Sequence, residues 1–128
     1  MEELPPLLVQ SRVATISDLV MGGAPLGSLF TVVTKEVGHA VVEKALECGV
    51  RKFDTAPLYG LGESERIMGD VLSKHPEIPV EMWTKVGRKL VPSNQVTPSD
   101  DADTGHTLYR VQSDLVPVFD FSASATRQ

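Results

Sequence analysis

A short strand pattern runs into a turn at the stretch Phe53-Asp54-Thr55-Ala56-Pro57-Leu58-Tyr59-Gly60. Val50 to Asp54 has the apolar content of a strand, and Pro57 ends it because proline cannot donate a hydrogen bond to a sheet ladder. Helical patterns lie on both sides of this strand. The stretch therefore predicts the centre of an α/β unit, with Asp54 at a strand end and Tyr59 on the loop beyond it.

Two amphipathic helix patterns flank this strand. The first begins at Thr34, a plausible N-cap, and ends before Gly49, a residue suited to the left-handed position after a helix. The second spans Ser64 to Lys74 and ends at His75-Pro76. The apolar residues expected to face the core are Val37, Val41, Val42, Ala45 and Leu46 in the first helix and Ile67, Met68, Val71 and Leu72 in the second.

Two further strands complete the predicted unit. One covers Val13 to Val20 and runs into the Gly/Pro loop of residues 21–27, and the other covers Val80 to Val86. The order strand, helix, strand, helix, strand is typical of parallel pairing. The right-handed crossover rule places both helices on one face of the sheet, as at the start of a barrel.

The remainder of the chain has weaker patterns. Gly87 to about Thr107 is rich in Pro, Ser, Asn, Asp and Thr, which predicts a long loop. Leu108 to Val111 and Val116 to Phe121 have the composition of short strands, and we expect them to form a hairpin laid over the sheet.

Composition limits the class of protein. The chain has 128 residues, 41% of them apolar and 23% charged, which is typical of one globular domain with a modest core. No apolar run approaches the roughly 20 residues that span a bilayer, and the N-terminus lacks the pattern of a signal peptide. The single cysteine, Cys48, fits a reducing compartment and is expected to be a buried, inert thiol. These features predict a cytoplasmic protein without membrane association.

Charge and histidine placement bear on partners. The net charge of −5 argues against nucleic acid as a partner. The three histidines, His39, His75 and His106, are scattered without metal-ligand spacing, so no metal site is predicted. Gly22, Ala24 and Gly27 come close to a dinucleotide-binding glycine pattern, but the residues after them do not look like the helix start that this pattern requires.

Three polar residues are expected to meet at one edge of the sheet. Asp54 and Lys85 each end a predicted strand, and neighbouring parallel strands lie about 4.8 Å apart, so their side chains can form an ion pair. Tyr59 lies on the loop above the same edge. Active sites of parallel α/β folds occupy this C-terminal edge.

The chemistry of the trio suits proton donation to a carbonyl oxygen. A phenol is a weak acid at neutral pH, and a neighbouring ammonium makes it a stronger one because it favours the phenolate. Spacing alone also allows a structural interpretation, in which Asp54 caps a turn, Tyr59 packs as a loop aromatic and Lys85 is a surface charge.

Three motifs in register resemble the aldo-keto reductase family. They are Ala24 to Gly27 (Ala-Pro-Leu-Gly), Asp54 to Gly60 (Asp-Thr-Ala-Pro-Leu-Tyr-Gly) and Thr84 to Arg88 (Thr-Lys-Val-Gly-Arg). They look most like the branch of D-threo-aldose and L-galactose dehydrogenases. The resemblance runs from about Leu4 to the end of the chain.

The resemblance implies a (β/α)8 barrel oxidoreductase. Such an enzyme transfers a hydride between NADP(H) or NAD(H) and an aldehyde, ketone or sugar. Residue by residue, it implies Tyr59 as general acid/base, Lys85 as the residue that makes the phenol more acidic, and Asp54 as the partner of the lysine near the nicotinamide ribose. The residues that would line the nicotinamide end of the cofactor are Gly22, Gly23 and Ala24.

The chain departs from the family pattern in its extent. A whole barrel takes about 250 residues, so residues 1–128 are expected to form a truncated, partial domain with three β/α strands and a long loop. The family's catalytic histidine, at the end of the fourth strand, has no counterpart, because His106 precedes that point. A second hypothesis is therefore an inactive remnant that associates with other chains or itself through an open strand edge.

Overall fold

The computed structural model describes residues 14–102 and 108–127. Within them the chain forms a parallel sheet with two helices on one face, followed by an antiparallel hairpin. Short 3-10 helices occupy Ile16–Asp18, Ala24–Gly27 and Ser93–Gln95. The strands and α-helices in chain order are β1 Val20–Gly22, α1 Lys35–Glu47, β2 Lys52–Asp54, α2 Glu63–Leu72, β3 Glu81–Trp83, β4 Gly87–Pro92, β5 Leu115–Asp120 and α3 Ala123–Thr126.

The sheet has the order β1-β2-β3, and both pairs are parallel. Phe53 lies in register with Met21 of β1 and Met82 of β3. One residue further along each strand, Asp54 lies in register with Gly22 and Trp83. This arrangement confirms the predicted parallel α/β unit, the repeating unit from which (β/α)8 barrels are built. The strands are shorter than predicted, with three residues each.

The core lies between the sheet and the two helices. Phe53 is fully buried against Val42 of α1 and the α2 stripe of Ile67, Met68 and Val71. The helices approach closely because α1 has Gly38 at the crossing, where an added Cβ would lie 2.8 Å from Ile67 Cδ1. We call the opposite side of the sheet the open face. Side chains alternate along a strand, so Asp54 lies on that face because Phe53 lies in the core.

The boundaries of α1 agree with the sequence signals, but its buried stripe is narrower. Thr34 caps the helix by accepting a hydrogen bond from the Val37 N–H at 3.3 Å. Gly49 follows the helix with φ +95°, as expected for the residue after a helix end. Val37 and Val41 were expected to face the core and are exposed, because α2 covers only the stripe of Gly38, Val42 and Leu46.

Cys48 is an exposed free thiol, so the prediction that it is buried was wrong. It is the C-cap residue of α1, and the chain turns there toward Val50, which enters the core. Leu46 and Val50 therefore face the core, whereas Cys48 between them faces solvent. Periodicity gave the wrong answer because the helical spacing stops at that residue.

The first predicted strand was also misplaced. Ile16–Asp18 is a 3-10 helix, in which the Asp18 carboxylate accepts from the Thr15 N–H and hydroxyl at 2.8 Å each. Such local side-chain bonds compete with strand formation. The strand begins only at Val20, whereas Val13, the other end of the prediction, lies outside the described residues.

The segment after β3 differs most from prediction. Gly87–Pro92, expected as loop, is strand β4 and pairs antiparallel with β5 from Gly87 opposite Asp120 to Pro92 opposite Leu115. The predicted strand Val116 to Phe121 is confirmed within one residue as β5. Its predicted partner, Leu108 to Val111, makes only an isolated bridge between Tyr109 and Leu29. Residues 103–107 of the predicted loop, which include His106, lie outside the described residues.

No helix within residues 14–102 and 108–127 has the length and apolar character to cross a membrane. The cytoplasmic location stays a prediction.

Candidate active site

An ion pair joins the C-terminal ends of β2 and β3. The Nζ atom of Lys85 donates to Oδ1 of Asp54 at 2.6 Å and to the backbone carbonyl of Thr55 at 3.0 Å. Thr55 is itself anchored to β3, because its N–H donates to the Trp83 carbonyl at 2.8 Å. The ammonium therefore has a fixed position on the open face, at the edge where the spacing of the sequence placed it.

Tyr59 lies beside this pair. Its ring centroid is 5.7 Å from Lys85 Nζ. The loop that carries it turns back through a hydrogen bond from the Tyr59 N–H to the Ala56 carbonyl at 3.0 Å. Gly27 presses directly against the backbone of Tyr59 and Gly60, leaving no room for a Cβ on either glycine. The structure thus brings the three sequence-predicted residues together.

The glycines before Ala24 border the same edge. The Gly23 N–H donates to the Asp54 carbonyl at 2.7 Å, so the loop after β1 is tied to the end of β2. Gly23 is buried, and a Cβ there would overlap Ser64 Oγ and approach the Asp54 carbonyl oxygen. Gly22 is different, since a Cβ would meet no atom within 4 Å. Ala24 is half-buried at the start of the following 3-10 helix.

A buried hydroxyl pair connects these loops. Ser64, in the first turn of α2, donates from Oγ to the Gly23 carbonyl at 2.8 Å and accepts from the Thr55 hydroxyl at 2.9 Å. Both hydroxyls are almost wholly buried. The next residue, Glu65, accepts from the Thr84 hydroxyl at 2.6 Å. The start of α2 therefore holds the ends of all three parallel strands in a common register. From the sequence, Ser64 is recognisable only as the start of a helix.

A cavity of about 340 Å³ opens beside Tyr59 and Lys85. Its other side is formed by Arg88, Phe119 and Phe121 of the hairpin region. The Arg88 guanidinium lies over the Phe119 ring, with its Cζ 4.6 Å from the centroid. These three residues were not predicted as site residues, because Gly87–Pro92 was expected to be loop and Val116 to Phe121 was expected to pair with Leu108 to Val111. The alternation of Phe119 and Phe121 along a predicted strand was the signal that could have found them.

Tyr109 is a second phenol next to Tyr59. Their ring centroids are 5.9 Å apart with an interplanar angle of 34°. Residues 108–110 run along residues 28–30, with the Phe30 N–H donating to the Leu108 carbonyl at 3.1 Å. Burial raises the pKa of Tyr109, and the nearby Tyr59 raises it further. Tyr109 therefore stays neutral at physiological pH and serves as a packed neighbour of Tyr59.

The hairpin carries one strongly shifted carboxyl group. Hydrogen bonds from the side chain and backbone of Ser122, together with the Lys89 ammonium at 3.0 Å, lower the pKa of Asp120 to about 2. Asp120 is the last residue of β5 and sits between the cavity residues Phe119 and Phe121. Its contacts fasten the end of the hairpin next to the cavity.

Within residues 14–102 and 108–127, no group of three or more His, Cys, Asp or Glu side chains is placed to hold a metal ion.

Several known proteins are similar to this chain in sequence or fold. Residues 18–108 match the model of the aldo/keto reductase family. D-threo-aldose 1-dehydrogenase from Pseudomonas sp is 38% identical over 112 residues, which cover 88% of this chain and 33% of that protein. Pyridoxal 4-dehydrogenase from Microbacterium luteolum is 43% identical over 76 residues, or 59% of this chain and 22% of that protein.

Two further relatives extend the comparison. L-galactose dehydrogenase from Arabidopsis thaliana is 36% identical over 75 residues, covering 57% of this chain and 24% of that protein. The solved structure of a glycerol dehydrogenase from Gluconobacter oxydans is similar in fold, with a TM-score of 0.53 at 23% identity over 84% of this chain and 28% of the other.

The chain spans a third or less of the length of these relatives. The matched residues include the loop after β1, the Asp54 to Gly60 stretch and the segment around Lys85. The sequence resemblance to the dehydrogenase branch is thereby confirmed. The chain belongs to the aldo/keto reductase family.

Proposed function

We propose that this chain supplies the acid/base part of an oxidoreductase site that reduces an aldehyde, ketone or sugar carbonyl, or oxidises the corresponding alcohol. One observation carries the proposal. The Lys85 ammonium lies 2.6 Å from the Asp54 carboxylate and 5.7 Å from the Tyr59 ring, at the C-terminal ends of paired parallel strands. Residues 1–128 are in this proposal a partial aldo/keto reductase domain.

The chemistry follows from these groups. Tyr59 donates its phenolic proton to the carbonyl oxygen during reduction and takes a proton from the alcohol in the reverse direction. The ammonium of Lys85, 5.7 Å from the Tyr59 ring centroid, assists because it stabilises the negative charge that develops on the phenol oxygen as the proton leaves. Asp54 holds that ammonium in place through the ion pair and balances its charge.

The residues around the open face fit a nicotinamide cofactor. Gly22 has no side chain, has open space beside it and lies in register with Asp54, a member of the ion pair. Gly22, Gly23 and Ala24 would hold the nicotinamide end, and Asp54 would lie near its ribose. A bound NAD(H) or NADP(H) would supply or accept the hydride. NAD(H) and NADP(H) differ only at the 2′-position of the adenosine ribose, so the residues that bind that end of the cofactor decide which of the two is used.

The proposal is tested by mixing the full chain with NADPH or NADH and D-glyceraldehyde and following the loss of nicotinamide absorbance. We expect reduction that falls at least about a hundredfold in Tyr59→Phe, since general acid catalysis contributes roughly 10² or more. Tyr109→Phe is the matched control, because it removes a neighbouring phenol and leaves Tyr59 in place. Reduction that survives Tyr59→Phe would contradict the assigned role.

The alternative function is association through an open strand edge. Among the described residues β3 pairs only with β2, and its Met82 and Trp83 side chains are each more than 40% exposed. An unpaired parallel edge of this kind is a template for another strand. This candidate and the oxidoreductase differ in their dependence on Tyr59, since the strand edge does not involve the phenol.

A further inference from the structure

We propose that the cavity between Tyr59 and the β4–β5 hairpin is the substrate pocket, and that it selects a planar aromatic carbonyl compound over a polyhydroxylated sugar. The inference rests on the proposed function, because it takes Tyr59 as the group that meets the carbonyl. It adds the identity of the pocket wall, Phe119 and Phe121, and the class of substrate that this wall prefers.

The cavity is continuous with the proposed acid. Tyr59 and Lys85 form one side, and Phe119 and Phe121 form the other. A carbonyl group directed at the Tyr59 hydroxyl therefore places the rest of the molecule against the two phenylalanine rings. In this arrangement the carbonyl group of the substrate faces Tyr59, and the remainder of the substrate contacts Phe119 and Phe121 in the same cavity.

The size of the cavity suits a single ring with a short substituent. Its volume is about 340 Å³. A closed apolar cavity of roughly 150 Å³ accommodates benzene, and ligand pockets begin at roughly 300 Å³. Benzaldehyde therefore fits with room to spare.

The end of the hairpin positions the two phenylalanine rings that line the cavity. Phe119 and Phe121 are two positions apart, on the same side of the chain where β5 ends. Their rings are nearly parallel, with an interplanar angle of 12° and centroids 6.3 Å apart. Gly87, at φ +89°, makes room for Phe121, since any Cβ there would overlap that ring. The Arg88 guanidinium lies over the Phe119 ring, with its Cζ atom 4.6 Å from the centroid.

The hairpin side of the cavity is mainly apolar. Lys85 donates to Asp54 and Thr55, and Arg88 stacks on Phe119. Phe121 is 77% exposed, an unusual position for so large an apolar side chain. An aromatic substrate covers this ring by offset stacking. The hydroxyl groups of a sugar would lose water there without gaining hydrogen bonds from the phenylalanines.

A binding experiment without cofactor tests the pocket separately from catalysis. The full chain, with ¹³C-labelled phenylalanine, is titrated with benzyl alcohol and with D-xylose while the Phe119 and Phe121 signals are followed by NMR. We expect saturable shifts with benzyl alcohol at a Kd at least about tenfold below that of D-xylose. Phe121→Ala should weaken benzyl alcohol binding, and Phe121→Leu should weaken it less because it keeps apolar bulk.

The matched control is Phe30→Ala, which removes an exposed phenylalanine that does not line the cavity. Equal binding of benzyl alcohol to the original chain and Phe121→Ala would overturn the inference, as would tighter binding of D-xylose. In the catalytic arm, the ratio of kcat/KM for benzaldehyde to that for D-glyceraldehyde should fall roughly tenfold in Phe121→Ala. Benzyl alcohol binding that depends on Phe121 supports the pocket even if Tyr59→Phe proves the proposed function wrong.

Discussion

The Nζ atom of Lys85 lies 2.6 Å from Oδ1 of Asp54, and the same atom reaches the Thr55 carbonyl at 3.0 Å. The two contacts hold one ammonium across the ends of two neighbouring strands. Both side chains remain partly in solvent, with 49% of Lys85 and 31% of Asp54 exposed. The pair is therefore accessible from solvent, and its own contribution to stability is small.

Asp54→Asn separates these two effects. The free energy of unfolding should change by less than about 1 kcal/mol, because partly exposed ion pairs contribute about that much at most. Reduction of D-glyceraldehyde should fall by roughly tenfold or more, because the lysine loses its charged partner beside the proton donor. Denaturant titration and steady-state kinetics measure the two quantities. An activity loss that only mirrors a loss of folded protein would contradict the assigned role.

Ser64→Ala should lower the free energy of unfolding, and it changes no solvent-exposed group because Ser64 is fully buried. The hydroxyl is fully buried, donates to the Gly23 carbonyl and accepts from Thr55. Its removal leaves a buried donor and acceptor without their partner, which costs about 1–3 kcal/mol. Urea denaturation measures the difference. Ser73→Ala, at an exposed position after α2, is the control and should change stability by less than about 0.5 kcal/mol.

Adjacent valines in α1 test the position of the buried stripe. Val42 is fully buried and Val41 is 45% exposed. Val42→Ala should lower the free energy of unfolding by about 2 kcal/mol, because it removes two buried carbons and leaves a cavity. Val41→Ala should change it by less than about 0.5 kcal/mol. Similar losses from both substitutions would mean that α2 or another segment covers Val41.

Acid should weaken the hairpin through Asp120. Its pKa is lowered from 3.8 to about 2 in the folded chain, so the carboxylate stabilises the fold fully above pH 3.8. That contribution is lost as the pH falls from 3.8 toward 2, where the folded form also takes up the proton. Asp120→Asn should flatten the dependence of unfolding free energy on pH in this window. An unchanged dependence in Asp120→Asn would contradict this assignment.

The open edge of β3 predicts concentration-dependent association. Met82→Lys should reduce it, because a lysine on an edge strand opposes pairing with another strand. Light scattering over a range of chain concentrations measures the effect. Val37→Lys, which adds the same charge at an exposed position of α1, is the control and should not change it. A monomer at every concentration, with uniformly protected amides, argues against association through this edge.

The helices and the ion pair could be derived from local patterns. Thr34 and Gly49 mark the ends of α1 because capping is decided within a few residues of the chain. Asp54 and Lys85 meet because parallel strands joined by a helix place their ends at one edge. Proximity of Tyr59 follows from the short loop after β2. In each case the physical cause acts over neighbouring elements.

The second half of the site required the tertiary structure. Strand β4 could not be recognised from its polar, proline-containing surroundings, because its stability comes from pairing with β5 across a long connection. That pairing brings Phe119 and Phe121 opposite Tyr59, and the bridge of Tyr109 to Leu29 brings the second phenol. Cys48 shows the same limit at a helix end, where the direction of the chain decides exposure.

The sequence by itself therefore determined the parallel unit, the ends of α1 and the grouping of Asp54, Tyr59 and Lys85, because these depend on spacing and on chain connectivity. Only the tertiary structure decided which residues face this group across the cavity. Those contacts depend on strand pairing and ring packing between segments that are distant along the chain, and local patterns carry no record of that pairing.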